Sequence, residues 1–285
     1  MLKPWRFAVP VALSLAVLAG CTSTSEEKPA VSGGVSPQPT ADKRREIETK
    51  KADCMKQKGF KYIAYVPKPE PDAVVKARLG DYAAMKEHRA KYGFDIFSVS
   101  VYGIADTPGV ENLTDNPNAA LAGELSEAQS AAFSKAGGEC QVQAVNAVLG
   151  KNFRSDEEIY QEADRVRERE EHALDADPGL VRLAPGYADC LKAKGHRIGN
   201  TKPTKVVTAL RDLFRGELLA LMQEKTGGSG QLRMDLLTAE EAKPYLAREI
   251  KAALEDLECG KEFHAIYGPK NARITAASEE LVGDL

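Results

Sequence analysis

The chain has 285 residues, of which 43% are hydrophobic and 28% charged, with 39 basic and 42 acidic side chains. That balance excludes a disordered polymer, a collagen and a multi-span membrane protein. With Lys3 and Arg6 of the first twenty residues set aside, 37 basic and 42 acidic groups remain, a net charge near −5. Such a chain has no overall positive field for gripping phosphates, and no nucleic-acid partner is expected.

Residues 1–20 read as a secretion signal. Lys3 and Arg6 form a short basic start, and Phe7 to Leu18 is an apolar run broken only by Pro10 and Ser14. That run is too short for a stable helix across a hydrocarbon core of roughly 30 Å. It ends in Leu18-Ala19-Gly20-Cys21, which resembles the lipobox of bacterial lipoproteins. The resemblance implies a diacylglyceryl thioether on Cys21 and cleavage before it. More than one acyl chain makes the anchor stable, where a single chain binds only marginally. Residues 21–42 are then a tether, since Ser, Thr, Pro, Gly and Ala cannot bury enough apolar surface to offset the entropy of ordering. As a coil it holds the folded part about 25 Å from the membrane.

Four cysteines remain, Cys54, Cys140, Cys190 and Cys259. An even number in an exported chain reads as two disulfides, with three pairings allowed. A repeat selects among them. Ala52-Asp53-Cys54-Met55-Lys56-Gln57-Lys58-Gly59-Phe60 returns as Ala188-Asp189-Cys190-Leu191-Lys192-Ala193-Lys194-Gly195-His196, and Glu139-Cys140 returns as Glu258-Cys259. We therefore divide the chain into a first half, 43–154, a connector, 155–178, and a second half, 179–285, and pair Cys54 with Cys140 and Cys190 with Cys259. Each bridge closes a loop of roughly 70 to 90 residues, worth at most about 4 to 5 kcal/mol in the chain-entropy model.

In chain order, each early cysteine lies in the last turn of a helix that Gly59 or Gly195 ends. Phe60 to Val66 reads as a short strand. A helix carrying Val75, Leu79 and Tyr82 follows in the first half, and one carrying Val206, Leu210, Leu213, Leu218 and Met222 in the second, with Gly93 and Gly227 as stops. Phe97, Val99 and Val101 alternate with Ser98 and Ser100, and Leu232, Met234 and Leu236 with Arg233 and Asp235, the period of a half-buried strand. Ser126 to Gln129 and Thr238 to Glu241 are capping boxes. Behind them run apolar stripes, Phe133, Ala136, Cys140, Ala144 and Val148 in one helix, Leu246, Ile250, Leu254 and Leu257 in the other. Gly137, Gly138 and Pro244 argue for a break or kink in these helices. The connector opens on another box, Ser155 to Glu158, and is a charged, solvated helix with a thin stripe of Ile159, Ala163 and Val166 that ends before the turn signal Asp177-Pro178-Gly179. The fold class expected is a helix-rich α+β protein of two related halves, each with helices, short strands and one internal disulfide.

The lipobox, the low-complexity tether, the twice-used Cys-(Met or Leu)-x-x-x-Gly unit with a later helix cysteine, and Asn116-Pro117-Asn118 ahead of Leu125-Ser126-Glu127-Ala128-Gln129 resemble extracytoplasmic lipoproteins of actinomycete bacteria. The likeness covers most of Cys21 to Gly268. It implies a location and a disulfide pattern, and no activity.

Candidate chemistry is sparse. The first half carries a long loop from Gly103 to Glu124, with oxygen donors at Asp106, Glu111, Asn112, Asp115, Asn116 and Asn118. It is a candidate recognition loop, and its donors suit a hard cation or a polar ligand, although their spacing fits no EF-hand. His88, His172, His196 and His264 show no paired ligand spacing and read as exposed, so no metal site is expected. Lys225-Thr226-Gly227 reads as a helix-ending turn rather than as the third motif of penicillin-binding enzymes, whose other motifs are missing from the folded part. The matched basic positions Lys56, Lys58, Lys61 and Lys192, Lys194, Arg197 read as helix-end electrostatics, with wall polymers or anionic headgroups as the rival reading. No catalytic residues and no cofactor are expected. These readings converge on a lipid-anchored protein on the extracytoplasmic face of a cell membrane, a binding or interaction module whose partner is a cell-envelope polymer or protein and whose ligand sits between the halves. The alternatives are a cell-envelope hydrolase and the solute-binding lipoprotein of an importer.

Overall fold

Local chemistry places most helix ends. The computed structural model describes residues 38–104, 106–108, 115–227 and 237–282, which fall within one compact unit. These residues form α1 (Gln38–Gln57), α2 (Asp72–Arg78), α3 (Tyr82–Tyr92), α4 (Ser98–Tyr102), α5 (Pro117–Gly123), α6 (Glu127–Leu149), α7 (Asp156–Asp175), α8 (Pro178–Ala193), α9 (Pro203–Thr226), α10 (Ala239–Cys259) and α11 (Lys261–Val282). Both expected capping boxes form at α6 and α10, and Gly93 and Gly227 end α3 and α9. At Ser155 the box is displaced. Its hydroxyl accepts from the Glu158 N–H, but the Glu158 carboxylate reaches back to the N–H of Arg154 rather than to that of Ser155. Asp177 caps α8, with Pro178 in its first turn. Residues 38–42, expected in the tether, are already the first turn of α1.

The expected strands are a correction: among the described residues there is no strand, so the fold is all-α rather than α+β. Phe60 to Val66 is extended, but a strand needs a neighbouring backbone, and here a side chain takes that place. The Asn118 amide accepts from the Ile63 N–H at 2.9 Å and donates to the Ile63 carbonyl at 2.8 Å. The alternating stretch after Phe94 instead turns, through Asp95 at φ 67°, into α4. Leu232 to Leu236 lies outside the described residues. Two further expectations are revised. Gly137, Gly138 and Pro244 do not break α6 or α10. A Cβ at Gly138 would stand 2.5 Å from a carboxylate oxygen of exposed Asp156, a side chain free to move aside. Pro244 lies in the second turn of α10, where the carbonyl it cannot satisfy is that of exposed Glu240, open to water.

Three hydrophobic clusters hold the helices. The largest gathers Phe97, Leu180, Tyr187, Leu191, Leu210 and Phe263 with their neighbours, from α8 to α11 and the turn before α4. A second joins α1, α6, α7 and α11 through Ile47, Val145, Ile159 and Leu281. The third surrounds Met55 and Cys140, with Phe60 meeting Phe133 edge-on at 5.6 Å. The thin stripe of α7 is thus buried at Ile159 and Ala163, and α7 packs along α11 rather than standing as a solvated connector.

Both expected disulfides are present. Cys54 joins Cys140 and Cys190 joins Cys259, each with Cα atoms 5.5 Å apart. The early-cysteine helices end identically: Phe60 and His196 donate their N–H to the carbonyls of Met55 and Leu191, and Gly59 and Gly195 to those of Lys56 and Lys192. This Schellman ending needs a left-handed residue, supplied by Gly59 at φ 85° and Gly195 at φ 93°.

Candidate functional site: a cleft beside a buried carboxylate seam

The seam of α10 holds two charges where apolar residues belong. Ala242, Leu246, Glu249, Ala253 and Asp256 follow the i, i+4, i+7 spacing of a buried face, and both carboxylates are 0% exposed. Glu249 reaches the turn before α4. Its Oε1 accepts from the N–H groups of Phe94 at 2.6 Å and Ile96 at 2.9 Å, and its Oε2 from that of Phe97 at 2.9 Å. The turn is a nest of backbone donors around a buried anion. Burial raises the Glu249 pKa, and the three N–H groups oppose that rise without cancelling it. Gly93, at φ 65°, lets the chain pass, for a Cβ there would lie 2.8 Å from the Glu249 side chain. Phe97 then stacks on Tyr245 at 4.9 Å.

Asp256 anchors the second end of the seam. Arg89 of α3 donates through Nη1 to Asp256 Oδ2 at 2.6 Å and to the Ala253 carbonyl at 2.9 Å. The Tyr187 hydroxyl donates to Asp256 Oδ1, and His264 Nε2 donates to Oδ2 at 3.1 Å, which places the imidazole proton on Nε2. Burial works against the Asp256 charge, but Arg89, then His264 and Tyr187, outweigh it and hold the carboxyl below the usual aspartate range. Tyr187 is pushed well above the ordinary phenol value by burial first and by the Asp256 charge second. Both carboxylates therefore tie α10 to α3 and the turn before α4, joining residues far apart in sequence.

Beside this seam opens a cleft of about 670 Å³, within the range of small-molecule sites. Val74, Arg78, His88, Arg89 and Phe94 line it from α2, α3 and the following turn, Thr204, Thr208, Arg211 and Arg215 from α9, and His264, Tyr267 and Asn271 from α11. Gly80, at φ 83°, brings the α2–α3 corner onto the backbone of His264 and Gly268, where no Cβ fits. The Tyr267 hydroxyl donates to Asn271 at 3.1 Å, and burial raises its pKa to about 12. Of the hydroxyls in this lining, that of Thr208 donates to a backbone carbonyl and that of Tyr267 to an amide oxygen, and the cleft carries the carboxylates of Glu70, Asp95, Glu171 and Asp212 beside its cations.

The expected recognition loop fares differently. Asn118 is spent on Ile63, Asn116 caps α5 through the Asn118 N–H at 3.0 Å, and Asp115 pairs with Lys68 at 3.0 Å. Asp106 is exposed, and Glu111 and Asn112 lie outside the described residues. Three of the loop's donors are thus structural. No metal-binding cluster occurs among the described residues. The histidines are not uniformly exposed. His264 is buried on Asp256, His88 meets Asp95 at 2.8 Å, and His196 meets Glu255 at 2.8 Å. Of the basic positions, Lys58 bonds Glu139 at 2.5 Å beside the first disulfide, and Lys192 bonds Asp189 at 3.1 Å. Cys21 lies outside the described residues, and no described helix is long and apolar enough to cross a membrane. The seam was not anticipated from sequence, although its signal was there, two acids seven residues apart in an apolar register. A cleft between the halves was expected, but the residues that line it, drawn from four distant segments, were not named.

A scan against protein-family models, a search of curated proteins and a search of solved structures each give no match.

Proposed function

We propose that this protein is a lipid-anchored extracytoplasmic binding module, held to the membrane at Cys21 and built from two related units, with its ligand site in the cleft between the α2–α3 corner, α9 and α11. The observation that carries the binding reading is the cleft itself: about 670 Å³, open, and lined by polar groups beside an internally satisfied charge network. The two Schellman endings with identical hydrogen bonds, each followed by a bridge to a later helix, support relatedness of the units. The Leu18-Ala19-Gly20-Cys21 sequence supports the anchor.

Two experiments test this reading. Expressed in a bacterium with lipoprotein processing, the full chain is expected to take up labelled fatty acid and to sediment with membranes, and C21A is expected to lose the label. Unchanged labelling of C21A would remove the anchor from the reading. The purified full chain is then screened by thermal shift against neutral and charged wall fragments, lipids and calcium. A saturable rise in Tm with any of them supports a binding module, and a flat response to all of them overturns it.

A further inference from the structure

We infer that the ligand of this cleft carries an anionic oxygen group, a carboxylate or a phosphate, gripped by Lys205 and Arg211 of α9 with the Thr204 hydroxyl and the spare nitrogens of Arg89. This rests on the cleft being the binding site. In a chain of net negative charge, cations lacking partners are the informative ones. Among the described residues the side chains of Lys205 and Arg211 make no ion pair or hydrogen bond, whereas Arg78 pairs with Glu70 and Arg215 meets Asp212 at 3.5 Å; against these two cations the lining sets one carboxylate likewise without such a partner, Glu171. Arg89 uses only Nη1 on Asp256 and Ala253, so its Nε and Nη2 keep their donors.

Thr204 adds an independent sign. It is 6% exposed and lines the cleft; its N–H is satisfied by Asp175 at 2.9 Å and its carbonyl accepts from Thr208, yet its own hydroxyl has no partner among the described residues. A hydroxyl without a protein partner, reachable from the cleft and beside two cations without side-chain partners, is free to donate to an oxyanion. The backbone at the start of α9 has no role in this, because the Lys205 and Val206 N–H groups are taken by the Lys202 carbonyl and Pro203 has none. Thr204, Thr208, Arg211 and Arg215 share one face at i, i+4, i+7 and i+11, a stripe about 16 Å long. The ligand is therefore elongated, with its anionic group near the Lys205 end.

Calorimetry on the detergent-solubilised full chain in phosphate-free buffer tests this, with inorganic phosphate, glycerol 3-phosphate, succinate and monomeric dihexanoyl phosphatidylglycerol as probes. Saturable binding of at least one probe is expected. K205M and R211M, both at exposed positions, are expected to weaken it about tenfold each, and T204V by less. Binding of the small acids identifies a free solute, and binding of the phosphatidylglycerol alone identifies a lipid headgroup. Anion binding that K205M and R211M leave unchanged overturns the inference. If no anion binds while a neutral wall fragment raises Tm, the inference fails and the cleft reading survives. If nothing binds at all, both fail.

Discussion

Glu249 shows how one buried side chain can organise a turn far away in sequence. Its carboxylate satisfies three N–H groups that the turn from Phe94 to Phe97 exposes. E249A strands all three and is expected to cost about 3 kcal/mol or more, read as a shift of the urea midpoint under non-reducing conditions. E249Q is expected to be milder, since its amide oxygen keeps part of the nest and buries no charge. Because the folded pKa of Glu249 is raised, the folded chain holds this proton more tightly than the unfolded one. Its contribution is full below the ordinary glutamate value and is lost as pH rises through the raised one. E249A is expected to flatten that slope, and an unchanged pH profile would refute it. Asp256 has the opposite sign. Its carboxyl is held down, so its stabilisation is present above the ordinary aspartate value and lost as pH falls through the folded one. R89M leaves Asp256 buried without its cation and is expected to cost about 3 to 5 kcal/mol.

At the scale of elements, the two bridges are chemically alike and mechanically different. Cys190–Cys259 joins α8 to α10 within the largest cluster, whereas Cys54–Cys140 joins α1 to α6, where the surrounding cluster is small. Removing the first bridge is therefore expected to loosen one element before the molecule unfolds. In C54A/C140A, amide exchange is expected to accelerate in α1 while α8 and α10 stay protected, with an upper-limit loss of about 4 to 5 kcal/mol in global stability. Uniform acceleration across all helices would show that α1 has no separate opening. The exposed residues of α9 teach a related point. Leu213, expected in the core with Val206 and Leu210, is 54% exposed, because Phe214 takes the inward position beside it.

Across the whole molecule, the two sulfur-stapled segments do not bury their surfaces separately. The largest cluster draws Phe97 from the Cys54–Cys140 segment into a setting of α8, α9 and α10, and Arg89 crosses to Asp256 in the same way. Residues 179–285 produced alone would present Glu249 and Asp256 without these partners. That fragment is expected to aggregate or to show a non-cooperative thermal transition by circular dichroism, whereas the full chain melts in one step. A fragment that folds cooperatively at the same temperature would show that the crossing contacts contribute little.

What could be read from the chain alone was whatever short-range chemistry decides. The capping boxes at Ser126 and Thr238, the glycine endings at Gly59, Gly93, Gly195 and Gly227, and the cysteine pairing within a repeated sequence each depend on residues whose neighbours are visible in one dimension. The alternation around Phe97 misled because period two describes side chains and says nothing about whether a backbone partner exists. Here the partner was the Glu249 carboxylate, 152 residues away, and the extended stretch after Phe60 met the Asn118 amide. Strand or turn, buried or exposed acid, and the cleft itself were decided only when distant helices met, since the cost of burying a charge or an unpaired N–H is set by what arrives to satisfy it.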